Sequence, residues 1–403
     1  MAPTRTAGDG NILQLIGSTC RTTAPPGASF LPPRREQIGE NGPGMQQGPP
    51  PPSRREVIAR VHDAGRRVAA VLPYHYPRPL LAAHGFHPVE LWGPPGVSRD
   101  AGSRHFQAYT CDIVVRATSF LLGGGLDGVD AILIPHTCDA LQGLGSVLGD
   151  FVRPTPPVLT LYLPRGRRPA DREFLAAELR RVGSALSALS GAVPDDAAWE
   201  EAFAAEDAAD RALVALYARR PRLAATDREF YTVVRAREYL PAEDFTALAA
   251  SLPEGEPPGG VGLMLSGILA EPLDLFDHLA AMGARVVTDD LAGGRRRLYS
   301  AAPATDPYER LAARLLSGPP DPTRGDPIAA RARWLQEQMA ASGARGLVVY
   351  DPKFCEPELF DLPRLRHHLA AAGYPLLHVE VEMNGALSQQ ALTRLEAFVE
   401  TLP

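Results

Sequence analysis

The chain has 403 residues, 45% of them hydrophobic and 22% charged, with a formal net charge of −6. That length suits two domains, the composition is that of a globular protein, and the acidic balance argues against a nucleic-acid partner. No apolar run reaches the ~18 residues of a membrane span, no secretory signal opens the chain, and four cysteines are too few for a disulfide framework, so a reducing cytoplasm and no membrane are expected.

Residues 1 to about 56 hold ten prolines, including Pro49 to Pro52, and show no helix or strand period. They read as a disordered tail that carries Cys20 as a free thiol. From residue 57 the pattern alternates between strand and helix. "RRVAAVLPY" (66–74) is a short buried strand, "PLLAAHG" (79–85) a helix closed by Gly85, and "HPVELWG" (87–93) a second strand. "VDAILIP" (129–135) and "PPVLTLYLP" (156–164) are apolar runs bounded by prolines, the signature of strands covered on both faces. A helix capped by Asp171 should bury Phe174, Leu175, Leu179, Val182, Leu186 and Leu189, and helical character runs on through 195–220 to about 250.

"SLPEGEPPGG" (251–260) is a linker signal, after which the alternation restarts. Strands are expected at 261–267, 284–290 and 374–382, and 344–355 reads as strand then loop. Helices are expected at 272–283, about 306–317, 327–342, from 356 to Gly373, and at 388–402. The expected fold class is α/β, with two α/β domains on mostly parallel sheets, a helical segment between them and a Pro-rich disordered tail. The boundaries are 1–56 for the tail, 57–255 for the first domain with its helical extension, and 256–403 for the second.

Two cysteines fall where such sheets bind ligands. Cys138 follows the strand "AILIP" and Cys355 follows "LVVY" in the other domain, both beyond a strand's carboxyl end and both just before a helix. Cys111 leads into a helix that ends at "GGG" (123–125). A helix start favours thiolate over thiol and supports an anionic cluster. Intervals of 27 and 217 residues match no CxxC pattern. Spacing therefore leaves two readings open: one shared zinc or iron–sulfur site, or three separate buried cysteines.

The order of the motifs then adds a resemblance. "YPRPLLAAHGFHPVELWG" (76–93), Cys111, "DGVDAILIPHTCDAL" (127–141), "PVLTLYLPRG" (157–166), "GARVVTDDLAGGRRRLY" (283–299), "GARGLVVYDPKFCEP" (343–357) and "LSQQALTRLEAFVETL" (387–402) resemble the 2-hydroxyacyl-CoA dehydratase family, which includes benzoyl-CoA reductase subunits. The resemblance implies a [4Fe–4S] cluster held between two α/β domains by Cys111, Cys138 and Cys355, with the fourth iron position open. It implies an acyl-CoA substrate, one-electron reduction of the thioester carbonyl to a ketyl radical, and loss of the 2-hydroxyl as hydroxide. It also implies a paralogous second subunit in a heterodimer and a separate ATP-dependent iron–sulfur activator; this chain has no GxxxxGK[ST] phosphate loop. The implied activity is that of a hydro-lyase. The alternatives are a benzoyl-CoA reductase-type subunit or a non-catalytic, cluster-bearing electron-relay partner.

Two positions depart from the family pattern. Pro79 stands where relatives usually carry glutamate, and Ala292 where many carry cysteine. Among the remaining polar residues, His136 is expected to cap a loop rather than hydrogen-bond to cluster or substrate, and Asp139 to start a helix rather than act as a base. Lys353 is either a steering cation or a solvated one. Arg295 to Arg297 are expected to form a solvated charged face, the alternative being attraction of CoA phosphates; Ser266 and Gly267 mark a turn or a pocket wall, and Arg394 with Glu396 a surface or interface pair. No catalytic residue is assigned.

Overall fold

Two four-stranded parallel sheets of the same strand order organise the chain. The computed structural model describes residues 51–72, 75–92, 96–300, 303–383 and 385–402. The expected tail and Cys20 lie outside the described residues up to position 50, as do Pro73, Tyr74 and Gly93 of the expected strands.

The first described helix, α1 (Arg54–Asp63), begins slightly ahead of the expected tail boundary. Ser53 and Glu56 cap it reciprocally: the Glu56 amide donates to the Ser53 hydroxyl at 3.3 Å, and the Ser53 amide to the Glu56 carboxylate at 2.7 Å. There follow β1 (Arg67–Val71), α2 (Arg78–Ala83), β2 (Phe86–Glu90), the short α3 (Asp100–Ser103), α4 (Asp112–Leu122), β3 (Ala131–His136), α5 (Asp139–Ser146) and β4 (Val158–Tyr162). The helical block is α6 (Pro169–Ser190), α7 (Asp196–Arg219), α8 (Asp227–Ala236) and α9 (Ala242–Ser251). The second alternation is β5 (Val261–Gly267), α10 (Asp274–Ala281), β6 (Ala284–Leu291), α11 (Pro307–Leu316), α12 (Ile328–Ser342), β7 (Gly346–Pro352), α13 (Glu356–Ala371), β8 (Leu376–Val381) and α14 (Gln389–Glu400).

The sheets run β2-β1-β3-β4 and β6-β5-β7-β8, all parallel. In each, the second strand lies outside the first and the third crosses to the first's other side. Each therefore has a switch point between its first and third strands, where the flanking connections diverge and open a crevice. All residues of β3 and β7 are buried, which is why both read as unbroken apolar runs in the sequence. The free edge of β4 is covered by α6: the Tyr162 amide donates to Glu178 at 3.3 Å, and the Thr160 carbonyl accepts from Arg181 at 2.6 Å. Such cover blocks pairing with a foreign strand.

The apolar face of α6 is narrower than expected. Leu175, Leu179, Val182 and Leu186 are buried, while Phe174 and Leu189 are exposed. Spacings of four, three and four keep the first set on one stripe, and Phe174 lies about 100° off it. The helix also starts earlier, at Pro169, so Asp171 stands in its first turn and accepts from the Arg168 amide at 2.8 Å.

One core joins the helical block to both sheets. Val57, Val68 and Val89 share it with Phe230, Tyr231 and Phe245, and with Leu263, Phe276 and Val286. Tyr231 stacks on Phe276 with centroids 4.6 Å apart. Its hydroxyl and that of Tyr217 both donate to the buried Asp289 at the end of β6, at 2.9 and 2.8 Å. The paired hydroxyls compensate the cost of burying that carboxylate. At the end of β5, Gly267 has φ +137°, and a Cβ there would stand 2.1 Å from the Tyr350 carbonyl oxygen. Only glycine lets β5 and β7 close at this point.

Candidate functional site

Cys111, Cys138 and Cys355 occupy the same local position: each is the residue immediately before a helix, α4, α5 and α13 respectively. Cys138 follows the third strand of its sheet, β3, and Cys355 the third strand of the other, β7. The duplicated strand order thus puts the two thiols at equivalent places, beyond carboxyl ends at the switch points. All three line a single cavity of about 500 Å³. Cys111 and Cys355 are buried and Cys138 is half-buried.

Backbone bonds fix the two lobes against each other here. The Asp112 amide donates to the Lys353 carbonyl at 3.1 Å, next to Cys111 on one side and near Cys355 on the other. The buried Asp112 carboxylate accepts from the Arg116 guanidinium at 2.6 Å, one helical turn on, and from the Met383 amide at 3.1 Å. Phe354, just before Cys355, adopts φ +65°. A bulky residue in the left-handed region is an outlier that the surroundings must hold, and such outliers gather at functional sites. Here it turns the chain sharply between β7 and α13.

The thiols differ electrostatically. Cys355 donates to Cys111, which lowers the Cys111 pKa; the amides of Ile113 and Val114 at the start of α4 act in the same sense against burial. The same bond raises Cys355, with burial and the nearby carboxylates of Asp351 and Glu358 adding to it. Burial pushes Cys138 up to about 12, although the Leu141 and Ala140 amides oppose it. Three helix N-termini therefore face the site with positive ends, in a pocket where an uncompensated thiolate is costly.

This donor set suits soft iron. Thiolates are the usual ligands of iron–sulfur clusters, and a cluster is wider than one ion, so its ligands stand around it. Among the described residues, no three His, Cys, Asp or Glu side chains gather tightly enough for a single metal ion. The three thiols line one cavity, with Cys111 and Cys355 within hydrogen-bond reach of each other, a soft donor set of the kind that iron–sulfur clusters and zinc both take.

The cavity wall also carries residues that sequence reasoning did not single out. Phe106, Tyr109 and Phe360 give it an apolar rim, with Tyr109 58% and Phe360 74% exposed. Arg165 and Thr137 add polar groups, and the buried Thr137 hydroxyl has no hydrogen-bond partner among the described residues. Arg165 is the first arginine of "PRGRR", a signal that a search for basic groups beside a strand end could have found. Nothing in composition announces the left-handed Phe354.

Other expectations are corrected or refined. Arg295 to Arg297 do not form a solvated face: Arg296 and Arg297 are buried. Arg296 pairs with Asp290 at 2.8 Å and Glu358 at 2.6 Å, and Arg297 grips Glu90 with two bonds of 2.6 and 2.9 Å. The tight turn after β6 folds the run inward onto carboxylates that the sequence cannot show to be near. His136 does not cap a loop: it is buried edge-on against Tyr162, and neither ring nitrogen has a hydrogen-bond partner among the described residues. Ser266 is buried and donates to Asp290 at 2.8 Å, so it is no pocket wall. Asp139 opens α5 as expected and is exposed. Lys353 stands 3.4 Å from Glu382, and Arg394 donates to the His378 carbonyl at 2.8 Å while Glu396 is exposed. Pro79 is buried in α2 and lines a different, smaller cavity. Ala292 is buried in the same apolar cluster as Cys111 and Cys355.

Two parallel sheets that meet at a three-thiol cleft define a class of two-lobed α/β proteins built for a ligand between the lobes. The family model described as 2-hydroxyglutaryl-CoA dehydratase, D-component, matches residues 73–402, and the chain belongs to this family. It is 25% identical to the (R)-phenyllactyl-CoA dehydratase beta subunit of Clostridium sporogenes, over 87% of this chain and 95% of that one. It is 27% identical to the lactoyl-CoA dehydratase subunit beta of Anaerotignum propionicum, over 84% and 93%. It is 24% identical to a benzoyl-CoA reductase subunit of Thauera aromatica, over 84% and 92%. Among the described residues, no helix is long and apolar enough to cross a membrane.

Proposed function

We propose that this chain is a cluster-bearing subunit of a 2-hydroxyacyl-CoA dehydratase-type enzyme, a hydro-lyase of the cytoplasm. The observation that carries the reading is the meeting of Cys111, Cys138 and Cys355 on one cavity, each at a helix start. A [4Fe–4S] cluster held there by Cys111, Cys138 and Cys355 would supply one-electron chemistry at low potential. The chain's own residues contribute the rest. The three helix N-termini favour the anionic ligand set, the Asp112 bonds clamp the lobes together, and Phe106, Tyr109 and Phe360 offer apolar surface to an acyl group. A paralogous second subunit, a heterodimer and a separate ATP-dependent iron–sulfur activator belong to the same proposal; the relatives named as subunits support it.

A second reading has its own support. Ala292 packs among the cysteines without a thiol, and Pro79 offers no carboxylate. Both favour an electron-relay partner, in a dehydratase or a benzoyl-CoA reductase-type complex, over the chain that turns over substrate.

Anaerobic purification with iron and acid-labile sulfide determination and EPR tests the proposal. The wild-type chain should hold about four irons per chain, and Cys138→Ala should lose them. Iron-free wild-type protein would overturn the reading. An EPR change on adding an acyl-CoA to the isolated chain would favour the catalytic role, and its absence the relay role.

A further inference from the structure

Cys111 and Cys355 belong to different lobes, yet their sulfurs are neighbours: the Cys355 thiol donates to Cys111. Both side chains sit in one apolar cluster with Trp92, Ile268 and Met383. The backbone holds them there. The Asp112 amide bonds the Lys353 carbonyl at 3.1 Å, and the Cys355 amide bonds the Pro352 carbonyl at 3.1 Å, closing the turn that carries the left-handed Phe354. Cys138 stands apart from this pair. It packs against a separate cluster, that of Ile132, Leu141 and Leu144, and accepts from the Leu141 and Ala140 amides.

A disulfide needs two cysteines that the backbone already sets side by side, because bridging distant ones stores strain. Cys111 and Cys355 meet that need across the cleft. They are also within reach of a small oxidant. Cys111 keeps 8% and Cys355 5% of its surface exposed, and both line the cavity of about 500 Å³.

We propose that Cys111 and Cys355 form a reversible disulfide between the lobes in the iron-free chain, with a peroxide as the oxidant. The Cys111 sulfur attacks one peroxide oxygen, the O–O bond breaks, and a sulfenic acid forms as the first water leaves. The Cys355 sulfur then attacks the Cys111 sulfur and expels the second oxygen as water. The two thiols supply both protons and both electrons, and the peroxide takes them up. A dithiol returns them and is itself oxidised to a disulfide. The bond withdraws two of the three candidate ligands, so the oxidised chain takes up no cluster until it is reduced. That consequence rests on the cluster proposed above, whereas the bond rests on the thiol pair alone. A transient disulfide of this kind senses redox state, as cytoplasmic disulfides usually do.

The test adds hydrogen peroxide to the full chain after a chelator has stripped its iron. The intact mass should fall by two hydrogens. Peptide mapping without reductant should join the Cys111 and Cys355 peptides, while Cys20 and Cys138 stay open to alkylation. Cys138→Ser should keep the bond and Cys111→Ser should lose it; if Cys111→Ser does not fold, the wild-type map decides alone. Given iron and sulfide without oxygen, the oxidised chain should gain no cluster absorbance, and dithiothreitol should restore the uptake. A bond from Cys138 to either partner, oxidation of Cys111 to sulfinic acid with no bond, or cluster uptake by a chain still carrying the bond would each overturn the proposal. Uptake by neither the oxidised nor the reduced form would overturn the cluster instead, and the disulfide would stand on its mass and its map.

Discussion

Replacing Arg296 with methionine probes the buried charge network behind Cys355. Arg296 is fully buried and bonds Asp290 bidentately at 2.8 and 2.9 Å. It also pairs with Glu358 at 2.6 Å and stands 3.8 Å from Asp321. Arg331 shares Asp290 and Glu358, at 3.0 and 2.6 Å, and reaches Asp361 at 3.2 Å. Two arginines thus serve four carboxylates, and the surplus of negative charge contributes to the raised pKa of Asp361, though burial is its first cause. Removing Arg296 leaves Arg331 alone among them. Breaking a buried pair from one side costs about 3–5 kcal/mol, because the remaining charge stays buried without compensation. A matched control is Arg228→Ala: that guanidinium pairs with Asp277 at the surface, with the two side chains 47% and 58% exposed, and should cost under about 1 kcal/mol. Urea unfolding of wild type, Arg296→Met and Arg228→Ala measures both. Arg296→Lys should fall between wild type and Met, and Glu358→Gln added to Arg296→Met should recover part of the loss. Glu358 is in the first turn of α13, directly after Cys355, so the Met variant should also bind iron more weakly. An Arg296→Met protein within about 1 kcal/mol of wild type would refute the argument that this run is a structural ion-pair hub.

Acid should weaken the fold through His87. It is buried, its Nε2 lies 2.7 Å from the Tyr239 carbonyl, and burial lowers its pKa to about 4. The unfolded chain, near 6.5, takes up the proton first, so up to about 3 kcal/mol is lost as pH falls from about 6.5 to 4. His87→Asn should flatten the stability–pH slope in that window, and an unchanged slope would count against it. Asp351 acts in the opposite direction. Burial raises its carboxyl to about 7, so the folded state holds the proton between about 4 and 7 and gains stability on acidification there. Asp351→Asn should therefore steepen the acid loss, and a slope no steeper than wild type would contradict this. Gly267→Ala must strain a left-handed backbone and meet the Tyr350 carbonyl at 2.1 Å, so a loss of at least about 1–3 kcal/mol in urea unfolding is expected; a neutral substitution would show that β5 and β7 can part.

Period and punctuation by themselves determined the alternation of strands and helices. Apolar runs such as "AILIP" and "LVVY" fit strands covered on both faces, as in a parallel sheet, and the residues before the helices are readable because helix starts leave local marks. The motifs also marked Cys111, Cys138 and Cys355. The family resemblance implied their approach, but spacing did not, since intervals of 27 and 217 residues constrain no distance until two sheets of equal strand order face their carboxyl ends to one cleft. The arginine run shows the same limit from the other side. Charge is a property of residues, but whether a charge is solvated depends on which carboxylates the fold brings to it. Only the tertiary structure carried Arg296 to Glu358, 62 positions along the chain, and Arg297 to Glu90, 207 positions away.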